Sequence, residues 1–171
     1  MFLTVEMLDM ADANSHKKVS AREQMNKFQE ACNKYETEGA VKADLKHTHH
    51  FSEAHPVFGC HIYGREVFVP ANSVITGKIH KHPTMNILVK GKLIVMSEDG
   101  KRVVEAPATY MAKTGERKVG YTLEDCVWIT VILTNKAGEE NIDDIIDFQT
   151  TMSYAELGLQ DSLQSIRTGE K

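Results

Sequence analysis

Cysteine, proline and tryptophan are scarce in this chain, at three, four and one among 171 residues. The cysteines, Cys32, Cys60 and Cys126, are odd in number and widely scattered. That pattern argues against a disulfide framework or a zinc cage and reads as reduced thiols with structural roles. No apolar run approaches the ~20 residues that a membrane-spanning helix needs, so a membrane is not an expected partner. A basic excess is also missing: 20 Lys and Arg stand against 24 Asp and Glu, a net charge of −4. A nucleic acid polymer is therefore not expected either. The sequence contains no Walker A loop, no dinucleotide-binding glycine pattern, no nucleophile elbow and no HExxH. The opening MFLTVEMLDM carries two acids and no basic residue. A cleaved leader is not expected from it, and the expected location is the cytoplasm.

What remains is ordinary soluble-protein material, 42% hydrophobic and 26% charged, enough for one domain with a core. Three regions stand out. Residues 1–56 read as an N-terminal helical region and linker. Met25, Phe28, Cys32 and Tyr35 recur at spacings of three and four, which places them on one helical face, with Gly39 as a stop. KHTHHFSEAH follows, and its four histidines, 47, 49, 50 and 55, read as a linker.

Residues 57–135 read as strands. REVFVP, SVITGKIH, MNILVKGKLIVM, KRVVEAP, ATYMA and VWITVILT are rich in Val, Ile and Thr. Turn-forming stretches separate them, with Asp99-Gly100 as a hairpin signal. Short strands at this spacing favour a barrel or sandwich over a βαβ fold. Residues 136–171 read as a helical tail. Ile142, Ile145, Ile146 and Phe148 lie in an acidic stretch, Ser153 and Glu156 fit a capping box, and TGEK is expected to fray.

The chemically richest stretch is GKIHKHPTMN, Gly77 to Asn86. His80-x-His82, with Gly91 supplying a turn and Gly115 further on, resembles the motifs of the cupins. The resemblance covers about 60–135 and implies a double-stranded β-helix barrel. Two departures matter. Asn86 stands where the cupin glutamate is found, and Lys118 stands where the second-motif histidine is found. The runs REVFVPA, TGKIHKH, NILVKG, SEDG, GERKVGYTLEDCVW and SYAEL, in that order over 65–157, resemble a group of cupin-like proteins encoded by tailed bacteriophages. That resemblance implies the fold and a phage origin and carries no activity.

Strand alternation puts Lys78, His80 and His82 on one face, which the cupin resemblance makes the barrel interior, joined by Asn86 and Lys118. Three readings of this group stay open. The leading one is a binding module for a small anion, a class that includes nucleotides and, in one form, a sequestered signalling nucleotide. Lys78, His80, His82, Asn86 and Lys118 would form the pocket, with Arg117 and Tyr121 at its rim. No cofactor is expected on this reading. The second is a cupin-type enzyme, an isomerase, lyase or oxygenase, using His80 and His82 as acid and base. A divalent transition metal on the same two histidines belongs to this reading. It lacks the usual carboxylate and faces an ammonium at Lys118, unless Glu53, His61, Glu98 or Glu124 completes the set. The third is a structural role in an oligomeric virion or scaffold. A homo-oligomer is expected on any of the three. Glu124 and Asp125 read as a turn that could pair with Arg117 or Lys118, and His61 as the start of a strand facing the cavity.

Overall fold

The computed structural model describes residues 21–37 and 45–159. The region after 159, including TGEK, lies outside the described residues, as does the Tyr35 side chain. Helix α1 spans Ala21–Thr37. The strands are β1 (Lys46–Phe51), β2 (His61–Val69), β3 (Val74–Thr76), β4 (Ile79–His80), β5 (Thr84–Lys90), β6 (Lys92–Ser97), β7 (Gly100–Glu105), β8 (Ala108–Ala112), β9 (Val119–Thr122), β10 (Cys126–Thr134) and β11 (Thr150–Thr151). Helix α2 spans Ile142–Gln149, between β10 and β11.

The strand order defines the architecture. One antiparallel sheet runs β1-β2-β10-β5-β8 and a second runs β3-β9-β6-β7. The chain passes between them repeatedly, and the eight strands other than β1, β4 and β11 make two four-stranded layers. This is the double-wound order of the jelly-roll and cupin barrels, so the chain is mainly β with a cupin-like barrel, flanked by two helices. Alternation along each strand sorts the side chains. Val69, Leu88, Leu93, Val95 and Cys126 are buried together between the sheets.

Helix α1 covers the outer face of the second sheet. Met25, its most buried residue, packs with Val119 and Tyr121, and Phe28 joins them, as the three-and-four spacing predicts. Helix α2 buries Ile145 against Tyr63 and Ile132. Beyond it the chain forms a short 3-10 turn at Tyr154–Leu157, with Ser153 Oγ accepting the Ala155 N–H. Ser153 thus caps the turn through its second residue, and Glu156 lies 3.7 Å from Lys81 Nζ, so the expected reciprocal capping box does not form. Gly158 takes a left-handed conformation and ends the turn.

Three local expectations are corrected. KHTHHF is a strand, not a linker: β1 pairs with β2 along its whole length, from Lys46 opposite Phe68 to Phe51 opposite Tyr63. Its histidines hid a period-2 pattern in which His47, His49 and Phe51 share one face. SVITGKIH is two short strands, interrupted where the Gly77 N–H donates to Lys118 O. The hairpin at Asp99-Gly100 exists, but its two turn residues are Glu98 and Asp99, with Ser97 paired to Gly100.

Candidate functional site

A cavity of about 390 Å³ lies between the sheets. The five-stranded sheet supplies its floor. In the register of that sheet, His49, Arg65, Thr130, Asn86 and Tyr110 fall in a single row across β1, β2, β10, β5 and β8. The row above it holds Val67, Trp128 and Leu88. One part of the wall is therefore apolar, continued by Ile75, Leu93 and Val95, and the other is polar. The opposite side brings His80 from β4 and Lys118 from the entry to β9. Helix α2 closes a third side with Ile145, Ile146 and Gln149.

The charges are one-sided. Arg65, Lys78 and Lys118 line the cavity, with the His47 and His80 rings beside them, and no Asp or Glu among the described residues does. The Arg65 side chain forms no hydrogen bond or ion pair among the described residues. Lys118 Nζ stands 4.0 Å from the centroid of the Tyr110 ring and 3.4 Å from Glu116 Oε1. Burial, aided by Arg102, lowers the Lys118 pKa to about 7. Burial, with Lys118 and Arg65 nearby, lowers that of His80 to about 4, so its imidazole is neutral at physiological pH. The His80 Nδ1 and the Tyr110 hydroxyl are buried with no hydrogen-bond partner among the described residues. Groups of that kind are costly to leave unpaired. Here both belong to residues that line the cavity.

The expected site residues divide into two sets. Lys78, His80, Asn86 and Lys118 line the cavity, Lys78 at an exposed position 3.9 Å from Asp147 Oδ1. Asn86 is committed to the fold: its Oδ1 accepts from Trp128 Nε1 and Thr130 Oγ1, both at 3.2 Å, and its amide donates to Thr84 Oγ1 at 3.0 Å. His82, Arg117 and Tyr121 do not line it. Strand β4 ends at His80, so alternation does not carry on to His82. That ring is exposed and stacks on Phe148, with centroids 4.5 Å apart. Arg117 and Tyr121 point away from Lys118 and Gly120, as alternation in β9 requires. Arg117 is only 2% exposed and donates to Gly77 O, Asn26 Oδ1 and Gln29 Oε1, which pins α1 to the barrel. Tyr121 donates its hydroxyl to Asn72 Oδ1 at 3.1 Å.

His61 begins β2 but bonds Ser52 O and stays out of the cavity. Asp125 accepts the Ala71 N–H and pairs with neither Arg117 nor Lys118. Arg65, His47, Tyr63, Tyr110 and Gln149 line the cavity and were not singled out from sequence. The signal for Arg65 was the alternation of Tyr63, Arg65, Val67 and Val69 in β2, a charge in an otherwise apolar inward series.

These residues fit a transition metal poorly. Of the two motif histidines only His80 reaches the cavity, the Asn86 carbonyl oxygen already accepts two hydrogen bonds, and Lys118 offers donors only. Among the described residues no three His, Cys, Asp or Glu side chains converge as a ligand set. Glu53, Glu98 and Glu124 do not complete one.

No protein-family model and no curated protein matches the sequence. Among solved structures, the chain is similar to a cupin superfamily protein from Desulfitobacterium hafniense, at 7% identity over 55% of this chain and 81% of that one, with a TM-score of 0.45. It is similar to ectoine synthase from P. lautus at 8% identity, over 61% and 74% of the two chains, TM-score 0.45. It is also similar to an acetylacetone dioxygenase from Acinetobacter johnsonii at 19% identity, over 54% and 61%, TM-score 0.41. At such identities the likeness is one of fold, and the cavity is read from its own side chains.

Proposed function

We propose that the barrel binds a small organic anion with an apolar or flat body. The observation that carries this reading is the set of cations around the cavity with no acid lining it among the described residues. Glu116 and Asp147 neighbour Lys118 and Lys78 from outside the cavity lining, so the charge left without an acid is that of Arg65, and an anionic guest relieves the cost of burying it. Arg65 presents a planar fork suited to a carboxylate or phosphate. The apolar wall beyond it, including Trp128, takes the remainder of the molecule. A single anionic group suits the site better than a polyphosphate. Lys118 is only partly charged at neutral pH, and Lys78 is exposed beside Asp147. A nucleotide bearing one phosphate remains within the class. In keeping with the resemblance to phage-encoded proteins, the role we assign is capture of such a molecule from the host cytoplasm.

Isothermal titration against a panel of aryl and alkyl carboxylates and monophosphates tests this. Arg65→Gln should weaken the best binder at least about tenfold, the loss of a charged hydrogen bond. His82→Ala should leave its affinity unchanged. Equal affinity in wild type and Arg65→Gln would overturn the proposal.

A further inference from the structure

Lys118 has the setting of a reactive amine. It lines the cavity, its stem is largely buried, and its nitrogen lies over the Tyr110 ring. Glu116 Oε1 is 3.4 Å away, within reach of a proton on that nitrogen. Burial raises the Glu116 pKa, which suits a carboxyl that both takes and returns protons. A lysine surrounded by apolar surface and a neighbouring cation keeps a useful fraction of its amine neutral, the form that attacks carbonyls. Arg65 stands in the same cavity with its guanidinium uncommitted among the described residues. An amine and a carboxylate-binding fork around one small cavity suit a molecule that carries a carbonyl next to a carboxylate.

We infer that Lys118 forms an imine with the carbonyl carbon of a small 2-oxo acid whose carboxylate is held by Arg65. This rests on the anion-binding reading above and specifies its ligand. The amine nitrogen attacks the carbonyl carbon and a C–N bond forms. The proton released from nitrogen passes through Glu116 to the former carbonyl oxygen, giving a carbinolamine. Glu116 then takes the remaining proton from nitrogen and delivers it to the hydroxyl, which leaves as water as the nitrogen lone pair makes the C=N bond, so both protons of the water come from the amine. No oxidant or reductant is consumed. The neutral His80 ring and the Tyr110 hydroxyl, both with an unpaired polar atom, line the cavity in which that oxygen must be accommodated.

The test uses phenylpyruvate as the probe and sodium cyanoborohydride to reduce any imine to a stable amine. The full-length protein should gain one probe molecule less one oxygen atom, and peptide mapping should place it on Lys118. Labelling there should be at least tenfold faster than at any other lysine. It should be absent in Lys118→Met and Lys118→Arg, and about tenfold slower in Arg65→Gln. Label spread over surface lysines, or label undiminished in both Lys118 variants, would overturn the inference. Calorimetry with phenyllactate, which has a hydroxyl in place of the carbonyl, separates the two claims. If phenyllactate and phenylpyruvate bind equally and nothing is trapped at Lys118, the imine is wrong and the anion pocket stands. If neither binds, this ligand class fails for both.

Discussion

His80 and Lys118 hold less proton in the folded chain than they would in water, and both therefore couple stability to pH. The ordinary histidine value is 6.5, and in the fold it is about 4. Between these values the unfolded chain binds the extra proton and the folded one does not. Stability is thus unaffected by His80 above pH 6.5 and is lost as pH falls from 6.5 towards 4, by on the order of 3 kcal/mol. Lys118 acts in the same direction in another window, with stability rising as pH climbs from about 7 towards its ordinary 10.5. Urea unfolding at pH 7 and pH 4.5 should show a smaller acid loss in His80→Leu than in wild type. An equal loss would mean that His80 is not held neutral by the fold. At this scale the sequence was informative where a motif supplied an address. His80 and Lys118 were found because cupin spacing points at them. Arg65 was not, because it carries only a weak local mark, a charge within the alternating series Tyr63, Val67 and Val69 of β2. Its position becomes meaningful only when β1, β10 and β5 align it with His49, Thr130 and Asn86.

At the scale of elements, Arg117 is a joint. Its guanidinium connects β9 and the Gly77 turn to Asn26 and Gln29 on α1. Replacing it removes the three donor groups that the Gly77 carbonyl and the Asn26 and Gln29 side-chain oxygens accept from. Arg117→Met should cost about 3 kcal/mol. It should also speed amide hydrogen exchange in 21–37 more than in β10, whereas uniform acceleration would argue against a local joint. The strands themselves were legible from alternation and turn residues, and α1 from its Met25–Phe28 stripe. The misplaced end of SVITGKIH, and with it of His82, has a tertiary origin. Alternation assigns faces only while a strand continues, and the break at Gly77-Lys78 and the end of β4 at His80 are set by tertiary hydrogen bonds, Gly77 to Lys118 and Lys81 to Gln149. No window of sequence contains those partners. Adjacent Arg117 and Lys118 were read as one group, although neighbours on an extended chain face opposite sides.

For the whole molecule, the cavity is where the two sheets and α2 meet. A guest that touches Arg65, Lys118 and Gln149 joins elements far apart in sequence and binds only the folded chain. At a free concentration one hundred times its dissociation constant, it should add about 2.7 kcal/mol to stability. For a chain of 171 residues that corresponds to a rise in melting temperature of roughly 5–10 °C. Differential scanning fluorimetry with the best binder checks this, and Arg65→Gln, binding about tenfold more weakly, should cut the rise to about half at the same concentration.

The cavity's third side differs from the other two. The sheets are laced by long ladders, whereas α2 is held by the buried Ile145, by Lys81 through its N–H on Gln149 O and its Nζ on Asp147 O, by the Gln149 amide on His82 O, by the two-residue pairing of β11 with β4, and by the His82 ring against a Phe148 that is 56% exposed. Wall segments with few attachments open at lower free energy than sheet interiors. For a guest of the proposed kind, affinity would be set by the deep row around Arg65 and residence time by the helix, so that side chains outside the cavity, His82 among them, would govern entry and escape.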